Sequence, residues 1–503
     1  MTTPLILAID AGSSSLRTTV VELPDRIIGD ARDTVPWKHP NPGWAELDPS
    51  ALWRATAQTI VGALNSAGVD PANIAGVGIT SHRETVVMWD RATGEPIHDA
   101  VVWISKQTDS IVEGWESSGI GAQFRPRTGL RNDSYFSAAK VVWLLDNVPG
   151  ARARAERGEL AIGTPDCWLL WNLTGGEVHA TDPSCASRTN LFNLEQQAWD
   201  HELCAILGIP LSVLPEVRPS DGDFGQVRAD LLAHRPPIRA VVADQQSSMF
   251  GQACFAEGAV KHTFGTAGVL TVTTGAQPRL YDGLTSSVAW NVRGNTVFQA
   301  EGVVFHSGQT LSLMREKWQL PVAPADVDAL AWAVPDSGGV YLVPAFGGMA
   351  APWWDRSASA SVTGITLETT LQHLVRAAVE SMAFQVVDIV EELRRSGLTV
   401  EQMKVDGGGA ASNLLCQLVA DLARVHVDRS HELERTSLGA ALIAGTALGL
   451  IADLDEVSAA WSADAAFEPL ITLDRRDTLY AGWNAALART LSVSTHTLEG
   501  STS

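Results

Sequence analysis

The run Leu5-Ile-Leu-Ala-Ile9, followed by Asp10-Ala-Gly-Ser-Ser-Ser-Leu-Arg17 and then by the β-rich run Thr18–Leu23, reads as a hairpin closed by a Gly/Ser turn. The same device returns far along the chain, where His262–Phe264 and Val269–Thr273 flank Gly265-Thr266-Ala267-Gly268. Two copies so widely spaced do not fit a short repeat array. They predict two copies of one large α/β unit. Two further segments end strand-like runs: Asp244-Gln245-Gln246 after Ala240–Ala243, and Asp406-Gly-Gly-Gly409 after Met403–Val405. A single-loop nucleotide binder concentrates its glycines ahead of one helix. Here they are divided between the halves, so a triphosphate held by all four segments sits in a cleft that both halves close.

The bulk properties suit an enzyme with two full cores: 503 residues, 45% apolar and 18% charged. A formal charge of -21 argues against nucleic acid or an anionic membrane as partner, because phosphate backbones are held by Lys and Arg. An anionic nucleotide must then be held by local N–H groups, hydroxyls and a cation against an adverse field. Cys167, Cys185, Cys204, Cys254 and Cys416 show no metal-type spacing and read as reduced core thiols. The N-terminal apolar run lacks a basic leader and no stretch approaches a membrane span, so the expected location is cytoplasmic.

Helices are expected at Pro49–Ala67, with Asp48 as N-cap and Pro49 in the first helical position, and at Thr369–Arg395, Ser412–Arg424 and Thr436–Leu450. The last carries Gly439, Ala440, Ala441, Ala444 and Gly445, small enough for another element to approach closely. The domain boundary is expected near residue 250, where the hairpin chemistry restarts. That divides the chain into 1–250, 251–489 and a Ser/Thr-rich tail at 490–503 expected to be disordered.

Each motif has a chemical use and a plainer one. The turn of Gly12, Ser13, Ser14 and Ser15 offers N–H groups and hydroxyls to phosphate, with Arg17 adding charge and Asp10 orienting hydrated Mg2+; a tight hairpin needs such residues too. Glycines at 407–409 before a helix let backbone approach a ligand at the helix N-terminus, as do many βα loops. Asp244, at the end of an apolar strand, stands where a general base for phosphoryl transfer would be, or where an Asp simply caps a helix.

In its ordered motifs the chain resembles the sugar and polyol kinases called FGGY kinases, from about Leu5 to Trp483. The resemblance rests on Pro42-Gly-Trp-Ala-Glu-Leu-Asp-Pro49, Gly78-Ile-Thr-Ser-His-Arg-Glu-Thr85, Tyr135-Phe-Ser-Ala-Ala-Lys-Val-Val-Trp143, Thr181–Asn193, Pro344–Asp355 and Ala360–Glu380. It implies two ribonuclease-H-like (actin-like ATPase) domains with a central cleft, a homo-oligomer (dimer or tetramer), and ATP with Mg2+ as cofactors. Arg83-Glu84 points to the glycerol-phosphorylating branch. A guanidinium beside a carboxylate can grip adjacent hydroxyls, each both donor and acceptor.

What the resemblance implies for the site follows residue by residue. Trp103 is the apolar wall against the carbon chain; Tyr135, Asp244 and Gln245 complete the polyol contacts with Arg83 and Glu84, and Asp244 is the base. Ser13, Ser14, Ser15 and Arg17 form the first phosphate turn, Gly265 and Thr266 the second, and Gly308, Gly408 and Ser412 meet the nucleotide. Several positions depart from the family pattern: Ala11, His82, Val269 in place of an aromatic, the segment 104–107, Ser312 and Ser412. Val269 for an aromatic predicts a wider pocket, so a kinase for a four- or five-carbon polyol or a ketose is the alternative. An actin-like or chaperone-like ATPase has no use for the Arg83/Glu84/Trp103/Tyr135 set.

Overall fold

The computed structural model describes residues 4–13, 15–320, 322–323 and 326–492. Ser14 and the tail beyond residue 492 therefore lie outside the described residues. The opening hairpin forms as Leu5–Ala11 paired antiparallel with Leu16–Glu22, in the register Leu5↔Glu22 to Ala11↔Leu16. Around it stands a five-stranded sheet, ordered Ile238–Ala243, Ile74–Ser81, Leu5–Ala11, Leu16–Glu22 and Arg26–Asp33. The strands Ile74–Ser81 and Ile238–Ala243 run parallel to the first and are buried almost throughout, which is why they read as near-continuous apolar runs.

The second hairpin, Val260–Phe264 with Gly268–Gly275, nucleates a seven-stranded sheet. Its inner five strands are Asn295–Val304, Gly268–Gly275, Val260–Phe264, Gln402–Asp406 and His426–Ser430. In chain order within each half, both sheets read third, second, first, fourth, fifth, with the same senses of pairing. The repeated hairpin thus marks a repeated unit.

Helix Pro49–Ala67 forms as expected, with Asp48 Oδ1 accepting from the Ser50 and Ala51 N–H groups and Gly68 ending it in the left-handed region. Leu371–Arg395 is the long buried helix of the second core, and Asn413–Ala423 is N-capped by the Ser412 hydroxyl. All five cysteines are buried and unpaired. Among the described residues, no helix is long and apolar enough to cross a membrane.

The fifth strand of each unit leads into a helix, Asp244–Gly251 in the first and Arg435–Ala447 in the second. Helix Asp244–Gly251 runs through the boundary expected near 250. The Arg435–Ala447 helix leaves its own sheet and packs its small-residue stripe on Asp244–Gly251 and on strand Ile74–Ser81. A methyl group on Gly439 would stand 1.8 Å from the Ser247 carbonyl oxygen, a backbone atom that cannot rotate away. Replacing Gly439 by Ala gains about 1 kcal/mol of helix propensity. Overpacking there costs about 3 kcal/mol, so a net loss of about 2 kcal/mol is expected as a lower urea midpoint.

Candidate functional site

Parallel strands deliver their C-terminal ends to one edge of a sheet, and the first unit's three parallel strands end together: Ala11 is in register with Ser81, and Ser81 with Ala243. The next residues along each are Gly12, His82 and Asp244. Opposite them stand Gly265, Thr266 and the Asp406–Gly408 segment of the second unit. All line one cavity of about 270 Å3. Ser13, Ser15, Arg83, Glu84, Trp103, Tyr135 and Gln245 line it too, so residues of both expected phosphate turns and every expected polyol contact meet at one place.

Arg83 and Glu84 are buried, not a surface pair. Arg83 makes a two-pronged pair with Glu301, Nη2 to Oε1 at 3.2 Å and Nη1 to Oε2, and its Nε lies 3.4 Å from Asp244 and 3.7 Å from Glu84. Arg188 closes the ring, with Nε 2.7 Å from Glu84 Oε1 and Nη2 2.8 Å from Glu301 Oε1. Burial pushes the Glu84 carboxyl up despite both guanidiniums. At Glu301 burial acts upward as well, but Arg188 and Arg83 together hold that carboxyl below its usual range. Glu84 also takes a left-handed φ of 63°, uncommon for a non-glycine residue and frequent where structure holds a functional group in place.

The aromatic wall is an edge-to-face stack: Trp37, Trp103 and Tyr135, with ring centroids 6.3 and 5.7 Å apart. Trp103 Nε1 donates to Ser13 Oγ at 3.1 Å, linking the wall to the first turn. The segment presenting Tyr135 is held by Lys140, whose Nζ donates to the carbonyls of Ser134 and Tyr135 at 2.7 Å and of Phe136 at 3.0 Å; burial brings this ammonium down to about 7. Asp244 opens its helix, with Oδ1 accepting from the Gln245 N–H at 2.7 Å, and its side chain is 18% exposed. Gln245 Oε1 accepts from Lys261 Nζ at 2.9 Å. Where the polyol-kinase pattern carries an aromatic, Val269 lines the cavity beside Val303.

Asp10, next to last in the first strand, has Oδ1 buried and without a hydrogen-bond partner among the described residues. Burial, then the Asp244 and Glu434 carboxylates, push its carboxyl well above the usual range. Arg17 is not on the cavity wall: its Nε pairs with Asp30 at 3.2 Å and its Nη1 lies 3.7 Å from Glu434, which is on the wall. Thr266 reaches the helix at Gly308 through its carbonyl, which accepts from the Ser307 and Gln309 N–H groups.

Gly308 and Ser412 line a second cavity, of about 450 Å3, with Ser312, Arg315, Asp328 and Leu415 among its walls. Gly408 lines both cavities. A Cβ on Gly408 would meet nothing, whereas one on Gly308 would stand 2.9 Å from the Gly265 carbonyl. Ser412 donates to Asp328 Oδ1 at 2.7 Å. Sequence reasoning missed Glu301, Arg188 and Lys261; Asp406, in the last of the four expected segments, accepts from Ser248 Oγ at 2.5 Å and from Thr263. The signal for Glu301 and Lys261 was a charged residue within a β-strand, Asn295–Val304 and Val260–Phe264, where burial requires a partner.

Comparison with known proteins agrees with this geometry. The description "FGGY family of carbohydrate kinases, N-terminal domain" matches residues 5–251 and its C-terminal counterpart residues 260–448. A glycerol kinase of Polaromonas naphthalenivorans is 44% identical over 492 residues, covering 97% of this chain and 99% of its own. One of Carboxydothermus hydrogenoformans is 42% identical over 494 residues, covering 97% and 98%. The solved structure of Plasmodium falciparum glycerol kinase with ADP superposes with a TM-score of 0.88 at 31% identity, covering 98% of this chain and 99% of that one. The repeated sheet, the two cavities that share Gly408 and these likenesses agree: the chain belongs to the FGGY family of carbohydrate kinases.

Proposed function

We propose that this chain transfers the terminal phosphoryl group of ATP to glycerol, giving sn-glycerol 3-phosphate, with Asp244 as general base. The observation that carries the reading is the single cavity on which Arg83, Glu84, Trp103, Tyr135 and Asp244 face both phosphate turns. The relatives named glycerol kinases support the substrate. The polyol's hydroxyls lie against Arg83 and Glu84 and its carbon chain against Trp103. Asp244 accepts the proton of the terminal hydroxyl as that oxygen bonds to phosphorus and the bond to the bridging oxygen breaks, releasing ADP.

The second cavity suits an adenosine moiety, with Gly308, Gly408 and Ser412 on its walls. Gly12, Ser13 and Ser15 on one side and Gly265 and Thr266 on the other suit the phosphates. A divalent cation fits beside Asp10, whose buried, unpartnered oxygen is costly to leave ionised without one. When bound, Mg2+ supplies charge neutralisation on the phosphates. We place the unit boundary near residue 250.

A longer polyol or a ketose is the second reading, favoured by Val269 on the wall. ADP release at fixed Mg-ATP, measured over glycerol, dihydroxyacetone, erythritol, the pentitols and common ketopentoses, is expected to give glycerol the highest kcat/KM. A tenfold advantage for a longer substrate would overturn glycerol in favour of the second reading.

A further inference from the structure

We propose that His82 is a further polyol-binding residue, its Nε2 accepting a hydrogen bond from a substrate hydroxyl; this rests on the polyol-kinase reading above. His82 directly follows strand Ile74–Ser81, and its backbone N–H donates to the Ala11 carbonyl at 2.9 Å. The ring's Nδ1 lies 2.8 Å from the same carbonyl oxygen. A carbonyl only accepts, so this contact assigns the ring's proton to Nδ1. Burial lowers the basicity of the ring and keeps it neutral. Nε2 is therefore a lone-pair acceptor.

That acceptor is buried and has no hydrogen-bond partner among the described residues, on a side chain 2% exposed that lines the central cavity. Buried acceptors are nearly always paired, so a donor is owed to this one. Phosphate oxygens are acceptors themselves and cannot supply it. The donors that can enter the cavity are polyol hydroxyls and water, free or on a cation; of these the polyol is the one whose hydroxyls a substrate site holds in place. Mg2+ itself takes oxygen ligands, and Asp10 already offers an unpartnered oxygen for its hydration shell. His82 stands between Asp10 and Asp244 in strand order and immediately before Arg83 and Glu84, which places it at the polyol end.

The test is the split between the KM for glycerol and the KM for Mg-ATP in wild type, His82→Leu and His82→Gln. His82→Leu removes the acceptor and is expected to raise the glycerol KM about tenfold, the worth of one hydrogen bond made in a buried site, with the Mg-ATP KM within about twofold. His82→Gln can donate to Ala11 through its amide nitrogen and accept through its oxygen, and is expected to return the glycerol KM to within about threefold of wild type. ADP binding by calorimetry checks that each variant keeps its nucleotide site. A glycerol KM unmoved in His82→Leu overturns the proposal, as does a shift in the Mg-ATP or Mg2+ requirement alone, which would assign the donor to metal-bound water. Wild-type enzyme that binds ADP but releases none with any polyol would overturn the kinase reading itself.

Discussion

Replacing Asp244 with Asn is expected to lower kcat by about 10^2- to 10^4-fold, the range that one positioned general base contributes, while the glycerol dissociation constant changes by less than about threefold. Asn keeps the shape of the side chain and an oxygen for the Gln245 N–H, 2.7 Å from Asp244 Oδ1. What it lacks is a site for the hydroxyl proton. Arg83 loses one of three carboxylates, at 3.4 Å, but retains the two-pronged pair with Glu301 and the contact with Glu84. The polyol grip therefore survives the substitution.

Two assays separate these effects: single-turnover ADP formation for chemistry, and calorimetry for glycerol binding. A variant whose single-turnover rate stays within tenfold of wild type would move the base to another group. A variant that loses glycerol affinity in proportion to rate would make Asp244 a binding residue only.

The parts of this molecule legible in its sequence are those in which local chemistry and position coincide. A hairpin around a Gly/Ser turn, a strand ending just before Asp244 and a capped helix after Asp48 are each decided within a dozen residues, and each forms where its residues indicate. Recurrence of the hairpin was enough to suggest a duplicated unit. The residues proposed as polyol contacts were singled out through the FGGY resemblance, and the structure brings them to one cavity. Long-range pairing was not legible. Arg83 and Glu301 are separated by 218 residues and meet only where the two units come together. Arg17 shows the converse: its position in the turn motif suggested phosphate, but its strand aims the side chain at Asp30 and Glu434. Sequence spacing cannot reveal that, because the partners lie on another strand and in the other unit.

Those long-range pairings lead to the second large effect, at Glu301. The side chains of Arg83, Glu84, Arg188 and Glu301 are all at most 3% exposed, and their formal charges alternate and cancel. Glu301→Gln leaves two guanidiniums facing one carboxylate away from water. Breaking a buried pair in this way costs about 3–5 kcal/mol, so a large fall in the denaturant midpoint is expected. Stability loss alone would be a structural matter, but the ring also sets the pose of the polyol grip. Without Glu301, the partners left to Arg83 are Glu84 and Asp244, and a guanidinium drawn towards Asp244 occupies the position needed for the hydroxyl. The glycerol KM is therefore expected to rise about tenfold or more, as for a lost charged hydrogen bond, while the Mg-ATP KM stays near wild type. The double variant Glu301→Gln with Arg188→Met separates the two roles. It restores neutrality, leaving Arg83 opposite Glu84, and should recover most of the lost stability. It does not restore the second prong on Arg83, so the glycerol KM should remain raised. If stability and glycerol KM recover together, Glu301 only balances charge; if stability alone returns, the second unit's sheet positions the first unit's substrate grip.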